Sequence, residues 1–249
     1  MSLETLISRI REKKSRYDAL KPFPQVMEES FSNALRIELT YHSNAIEGNT
    51  LTLAETALVV NEKVNISWKT LREIYEARNH YRAILFIESL VKAGKPLSEK
   101  EILEMHGYLL GGIDDAYAWR YRDIPVRISG SMKILPNPQK VPSLMHDFSD
   151  SLVEKPDDIL EFSARKKYEF VAIHPFIDGN GRMSRLIWNY FLLREGYPLV
   201  SIDIHDRLRY IESLQEMDEW KTDKYFTLLF SSIEKSLDTF LRNAWYEPL

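Results

Sequence analysis

One twelve-residue stretch, His174-Pro175-Phe176-Ile177-Asp178-Gly179-Asn180-Gly181-Arg182-Met183-Ser184-Arg185, stops one helical pattern and starts another within a few residues. Upstream, Tyr168, Val171 and Ala172 share a helical face, and Pro175 ends that helix because proline disfavours helical geometry in the residue before it. Downstream, a second helix starts around Asn180 or Gly181 and carries Leu186, Ile187, Tyr190, Phe191 and Leu193. Gly196 followed by Pro198 is its stop signal. Such a chain must feed a loop directly into a helix N-terminus, where free amides and the positive end of the helix dipole make a seat for anions. No GxxxxGK(S/T) sequence occurs, so the seat is not a P-loop.

The residue types on this loop suit phosphate chemistry. His174 can accept a proton near neutral pH, and Asp178 is a hard oxygen ligand of the kind magnesium takes. Gly179 and Gly181 let the backbone approach an anion closely, and Arg182 and Arg185 place two fixed charges on one helical face. Taken singly, a surface arginine pair is ordinary solvated charge, and an isolated histidine is more often structural. Beside an amide-rich turn and a metal-type aspartate the reading of the arginine pair reverses, while that of His174 turns on the resemblance given below.

Elsewhere the spacing is helical. Phe31, Ala34, Leu35, Glu38 and His42 mark one face, with Ile46 a turn further on. Thr52 with Glu55 and Ser98 with Glu101 have capping-box spacing. Tyr225, Phe226, Leu229, Phe230, Ile233, Leu237, Phe240 and Leu241 recur every three or four residues as a core stripe. The fold class is therefore all-α. One segment departs from it: Val126-Arg127-Ile128 and Met132-Lys133-Ile134 flank Ser129-Gly130-Ser131 as in a short hairpin, while composition alone would allow a plain loop.

The chain has 249 residues, enough for one large domain or a domain with a short extension. It contains no cysteine, which excludes disulfides, zinc–thiolate sites and a cysteine nucleophile. The net charge of −4 gives no general pull towards nucleic acid or acidic lipid. No signal-peptide pattern opens the sequence, and no run approaches the roughly 20 apolar residues of a membrane span. The expectation is a soluble, cytoplasmic protein that contacts neither membrane nor nucleic acid.

The twelve-residue stretch resembles the signature of the Fic family, HPFx(D/E)GNGRxxR, with every fixed position met. Further upstream, Ser43-Asn44-Ala45-Ile46-Glu47-Gly48-Asn49 resembles the inhibitory motif (S/T)xxxE(G/N) of members whose autoinhibitory helix precedes the core. The resemblance implies a Fic-type helical bundle with a short β-hairpin flap. It divides the chain into a helical extension at 1–26 and a Fic domain at 27–249. Within the latter lie an inhibitory helix near 30–48, a flap near 124–138 and the signature loop and helix at 174–195. It also implies a protein adenylyltransferase using ATP and Mg²⁺. His174 would be the base, Asp178 the metal ligand, and Gly179, Asn180, Gly181, Arg182, Ser184 and Arg185 the phosphate-binding set. Ser43 and Glu47 would inhibit by engaging Arg185. Ser131, Met132, Lys133 and Ile134 would hold a target peptide, and Tyr210 and Ile211 would lie near the adenine.

Partners implied are ATP and a target protein carrying a Ser, Thr or Tyr hydroxyl, with a homodimer left open. Two departures stand out. Trp119 occupies a position where relatives usually have glycine, and Tyr210 is followed by Ile211 rather than a second tyrosine. Rival readings are removal of AMP from modified protein, or a non-catalytic nucleotide-sensing module.

Overall fold

A computed structural model describes residues 2–62, 64–128, 130, 133–153 and 156–244, with side chains as far as Arg242. Among these residues the regular elements are helices: α1 (Leu3–Ala19), α2 (Gln25–Ile46), α3 (Leu53–Ala57), α4 (Leu71–Lys92), α5 (Glu99–Leu110), α6 (Val141–Ser151), α7 (Ile159–Ile173), α8 (Asn180–Arg194), α9 (Arg207–Asp218) and α10 (Asp223–Ala244).

The helices begin where the sequence supplies caps. Thr52 and Glu55 form a reciprocal box at α3, and Thr70 and Glu73 form another at α4. At α5 the Glu101 carboxylate accepts from the backbone N–H and the hydroxyl of Ser98. Losing such a cap typically costs about 1 kcal/mol. The stops are equally local. α7 ends at Ile173, before His174-Pro175, and α8 ends two residues before Gly196, whose φ of 72° suits glycine.

α8 is the central helix. Met183, Leu186, Ile187, Trp188, Tyr190, Phe191 and Leu192 are all buried, and a helix apolar around its girth belongs inside a bundle. α7 packs along it, α4 and α2 lie against it elsewhere, and α10 carries the aromatic stripe. α1 adds Leu6, Ile10 and Tyr17 to the same core, with Tyr17 edge-on to Phe240 at 5.1 Å between ring centroids. A small second cluster of Leu51, Val59, Ile66, Ile74 and Ala77 sits between α3 and α4. Trimming a buried leucine such as Leu186 to alanine would cost about 2–5 kcal/mol.

The segment expected as a β-hairpin holds no strand among the described residues. Ser129, Ser131 and Met132 lie outside the described residues. A two-stranded ribbon is marginal alone, and this one is secured from its ends instead. The buried guanidinium of Arg122 donates to the carbonyls of His174 (2.8 Å), Pro136 (2.7 Å) and Ile124 (3.4 Å). Lys133 bonds to Asp218, which also accepts from the Tyr168 hydroxyl, while Ile134 is 94% exposed.

At the entrance to this segment Trp119 adopts φ 60°, a conformation glycine takes more readily. Its indole closes on Gly107, where a Cβ would fall 1.7 Å from Trp119 Nε1, so α5 must carry glycine there.

Candidate active site

The loop between α7 and α8 is built from the inside out. Asn180 is buried, and its amide spans Phe176 in both directions, accepting from the N–H at 2.9 Å and donating to the carbonyl at 2.8 Å. Phe176 stacks on His106 of α5, with 3.6 Å between centroids and 4° between planes. His106 Nε2 in turn donates to the Asp178 carbonyl at 3.2 Å, which fixes its tautomer. Burial pushes the His106 pKa down to about 4, so the ring stays neutral.

On this frame His174 closes α7 in the left-handed conformation, at φ 51°. It lines a cleft of about 380 Å³ whose other walls include Glu47, Gly181, Arg185, Tyr210 and Ile211. Burial, more than any other influence, lowers the His174 pKa to about 4. The Val171 carbonyl opposes that shift, and the Arg122 charge adds to it. At neutral pH the imidazole is unprotonated and able to accept a proton.

Asp178 lies on the far side of the turn. Its Oδ1 accepts from the Gly179 N–H at 2.6 Å and from Arg182 Nη2 at 3.3 Å, while Oδ2 accepts from Arg72 Nη2 at 2.7 Å. Burial works to raise its pKa, but Arg182, the Gly179 amide and Arg72 hold the carboxyl below its usual value, so it remains ionised.

Arg182 and Arg185 are each 2% exposed at the side chain. Arg182 keeps Nε and Nη1 buried without a hydrogen-bond partner among the described residues. Arg185 is held through Nε and Nη2: Nε donates to Ser43 Oγ at 2.8 Å, and Nη2 donates to the Ser43 carbonyl at 2.9 Å and to Glu47 Oε1 at 2.6 Å. Glu47 caps the C-terminus of α2, a poor place for negative charge. Burial also disfavours its ionised form, yet the Arg185 charge and hydrogen bond hold its pKa low. Gly181 makes the approach possible, since a Cβ there would sit 2.2 Å from Glu47 Oε1.

The loop thus gathers His174, Asp178, Gly179, Gly181, Arg182, Arg185, Ser43 and Glu47. Ser184 is buried with its hydroxyl donating to the Gly181 carbonyl at 2.8 Å, and the Asn180 amide is committed to Phe176, so these two serve the turn's shape. Tyr210 borders the cleft but is only 2% exposed, and its hydroxyl accepts from the fully buried Lys167. Burial drives the Lys167 pKa well below its ordinary value.

Sequence reasoning missed Arg122, Arg72 and Glu76, and gave His106 no role. Only Arg72 left a readable trace: a cation in the first turn of a helix opposes the helix dipole and needs a partner elsewhere.

Comparison with known proteins places this geometry. Residues 96–192 match the model of the Fic/DOC family. The chain is 32% identical to "Protein adenylyltransferase Fic" of Nematostella vectensis, over 99% of this chain and 58% of that protein. It is 34% identical to the protein of the same name from Drosophila willistoni, over 81% of this chain and 41% of the other. The chain therefore spans about half the length of these curated relatives. Fic-1 from C. elegans superposes with a TM-score of 0.86 at 27% identity, covering 96% of this chain and 71% of that one. A Fic domain-containing signalling protein from Bacteroides thetaiotaomicron shares the fold, with a TM-score of 0.86 at 24% identity over 97% and 99% of the two chains. With the complete signature seated on a matching fold, the chain belongs to the Fic/DOC family.

Proposed function

We propose that this chain is an autoinhibited protein adenylyltransferase, moving AMP from ATP to a Ser, Thr or Tyr hydroxyl of a target protein or of itself. The observation that carries the reading is a neutral His174 in an open cleft that Gly181 of α8 also lines, with Nε and Nη1 of the neighbouring Arg182 lacking a hydrogen-bond partner among the described residues. Buried donors without partners carry a desolvation penalty of about 1–3 kcal/mol, which an anionic ligand would relieve. The names of the curated relatives support the same chemistry.

In this reading His174 takes the proton from the target hydroxyl as its oxygen attacks the α-phosphorus of ATP, and pyrophosphate leaves. The first-turn amides of α8 and Arg182 hold phosphate oxygens and answer their charge. Asp178, an ionised carboxylate with hard oxygens at the edge of this seat, fits Mg²⁺. Bound there, the ion supplies positive charge against the α- and β-phosphates. Glu47 keeps Arg185 from the γ-phosphate and so holds the nucleotide out of line.

A second reading is favoured by one detail. Glu47 is 41% exposed at the side chain, and among the described residues only its Oε1 is bonded, so Oε2 is free to hold a water in the cleft with His174. That arrangement suits hydrolytic removal of AMP from a modified protein. The deciding experiment incubates native and Glu47→Gly protein with labelled ATP and a cell lysate. Stronger labelling by Glu47→Gly supports transfer under inhibition. Loss of AMP-stripping activity in that variant supports hydrolysis instead.

A further inference from the structure

We propose that Arg72 is a built-in competitor for the cation of this site, occupying the exposed side of Asp178 and lowering its affinity for divalent metal. The inference rests on the assignment of Asp178 as the metal ligand.

Four charges alternate here: Arg72 Nε lies 3.1 Å from Glu76 Oε1, Glu76 Oε1 3.7 Å from Arg182 Nη1, Arg182 Nη2 3.3 Å from Asp178 Oδ1, and Asp178 Oδ2 2.7 Å from Arg72 Nη2. The two arginines differ in freedom. Arg182 is 2% exposed and fixed within the bundle, whereas Arg72 is 58% exposed on the first turn of α4. Oδ1 is engaged by the Gly179 amide and Arg182. Oδ2 is therefore the oxygen left for an incoming cation, and Arg72 holds it.

Within α4 only Glu76 favours Arg72 at this position, among the contacts of the described residues. It is a positive charge near the positive end of the helix dipole, and it precedes Glu76 in the weaker of the two i,i+4 orders. Asp178 is the partner that justifies it. A divalent ion has to displace this guanidinium, which can withdraw to Glu76, its neighbour on the same helix. Glu76 Oε2 also accepts from Asn49 Nδ2 at 2.9 Å, so the acceptor stays in place when Arg72 moves.

The test is Mn²⁺ binding to the full chain without nucleotide, followed by electron paramagnetic resonance, for native protein, Arg72→Ala, Arg72→Gln, Asp178→Ala and the Arg72→Ala/Asp178→Ala double variant. Both Arg72 variants are expected to bind Mn²⁺ at least about five-fold more tightly, a gain that a damaged fold would not give. The gain is expected to vanish when Asp178 is also removed. Unchanged or weaker Mn²⁺ binding in both Arg72 variants, with Asp178→Ala still impaired, overturns the competitor and leaves the metal ligand standing. Native-like Mn²⁺ binding in Asp178→Ala overturns both assignments.

Discussion

Arg182 and Arg185 sit one turn apart on the same helix, equally buried, yet two nitrogens of the first lack a hydrogen-bond partner among the described residues while the second is held by three hydrogen bonds at the end of α2. The difference comes from their neighbours. Arg182 faces the loop, where Asp178 accepts one hydrogen bond and Glu76 lies 3.7 Å from its Nη1. Arg185 faces the end of α2, which supplies a hydroxyl, a carbonyl and a carboxylate arranged for one guanidinium. Identical side chains on one helix thus take different partners, which the proposed function reads as a ligand site and a lock. A buried guanidinium can be kept by a partner within the chain or held open for one outside it.

The largest expected effect strips the chemistry common to both halves. His174→Ala should reduce AMP transfer by roughly 10²- to 10⁴-fold, the usual worth of a positioned base, while ATP binding stays near native. Equal loss of binding, measured by calorimetry, would make the histidine structural.

Opening the lock comes next. Glu47→Gly should raise labelling by about 5- to 150-fold, the range of ordinary regulatory couplings. Arg185→Ala should not reproduce the gain, and Glu47→Gly should add little once Arg185 is gone. Additive effects in the double variant would mean that the two residues act apart.

The two arginines can then be compared directly. Arg182→Ala should weaken ATP binding by about ten-fold or more, the scale of one charge-assisted hydrogen bond. Arg185→Ala in the native background should weaken it much less, because Glu47 already holds that guanidinium. In the Glu47→Gly background the two losses should become similar. Equal losses in native protein would break the distinction.

Gly181→Ala tests the closeness of the lock. Its Cβ would fall 2.2 Å from Glu47 Oε1, so the substitution should lower stability by about 1–3 kcal/mol in denaturant melts. The cost should shrink in the Glu47→Gly background, where 3.3 Å to Arg185 Nη1 remains the tightest contact.

The smallest effect concerns pH. The His174 pKa lies near 4, so its neutral form dominates at neutral pH and is lost only as pH falls through that value. The Glu47 pKa is also lowered, so the lock persists through the same neutral range and weakens only in acid. Transfer by Glu47→Gly should be flat around neutral pH and fall below about pH 5. A midpoint near the ordinary histidine pKa of about 6.5 would mean that the ring is more hydrated than its surroundings suggest.

Local rules made much of this protein readable in advance. Pro175 and Gly196 bounded the helices around the site, and Thr52 and Ser98 opened α3 and α5. Each depends on residues within a turn or two of one another, so the sequence contains the whole cause. Spacing also put Ser43 and Glu47 on one side of α2, and Arg182 and Arg185 on one face of α8.

What spacing could not decide was which distant groups meet. Arg72 reaches Asp178 across 106 positions, and Arg122 reaches His174 across 52. Those contacts exist only after the helices pack. The segment expected as a hairpin shows the same dependence, since Arg122 and Asp218, which hold it, meet it only in the folded chain. Ser184 was expected among the phosphate-binding residues and Tyr210 near the adenine, and only the folded chain puts their hydroxyls against Gly181 and Lys167. Sequence determined the helices and the inventory of charges. Tertiary packing decided which charges are neutralised within the chain and which are left for a ligand, because desolvation and pairing depend on neighbours that only the folded chain supplies.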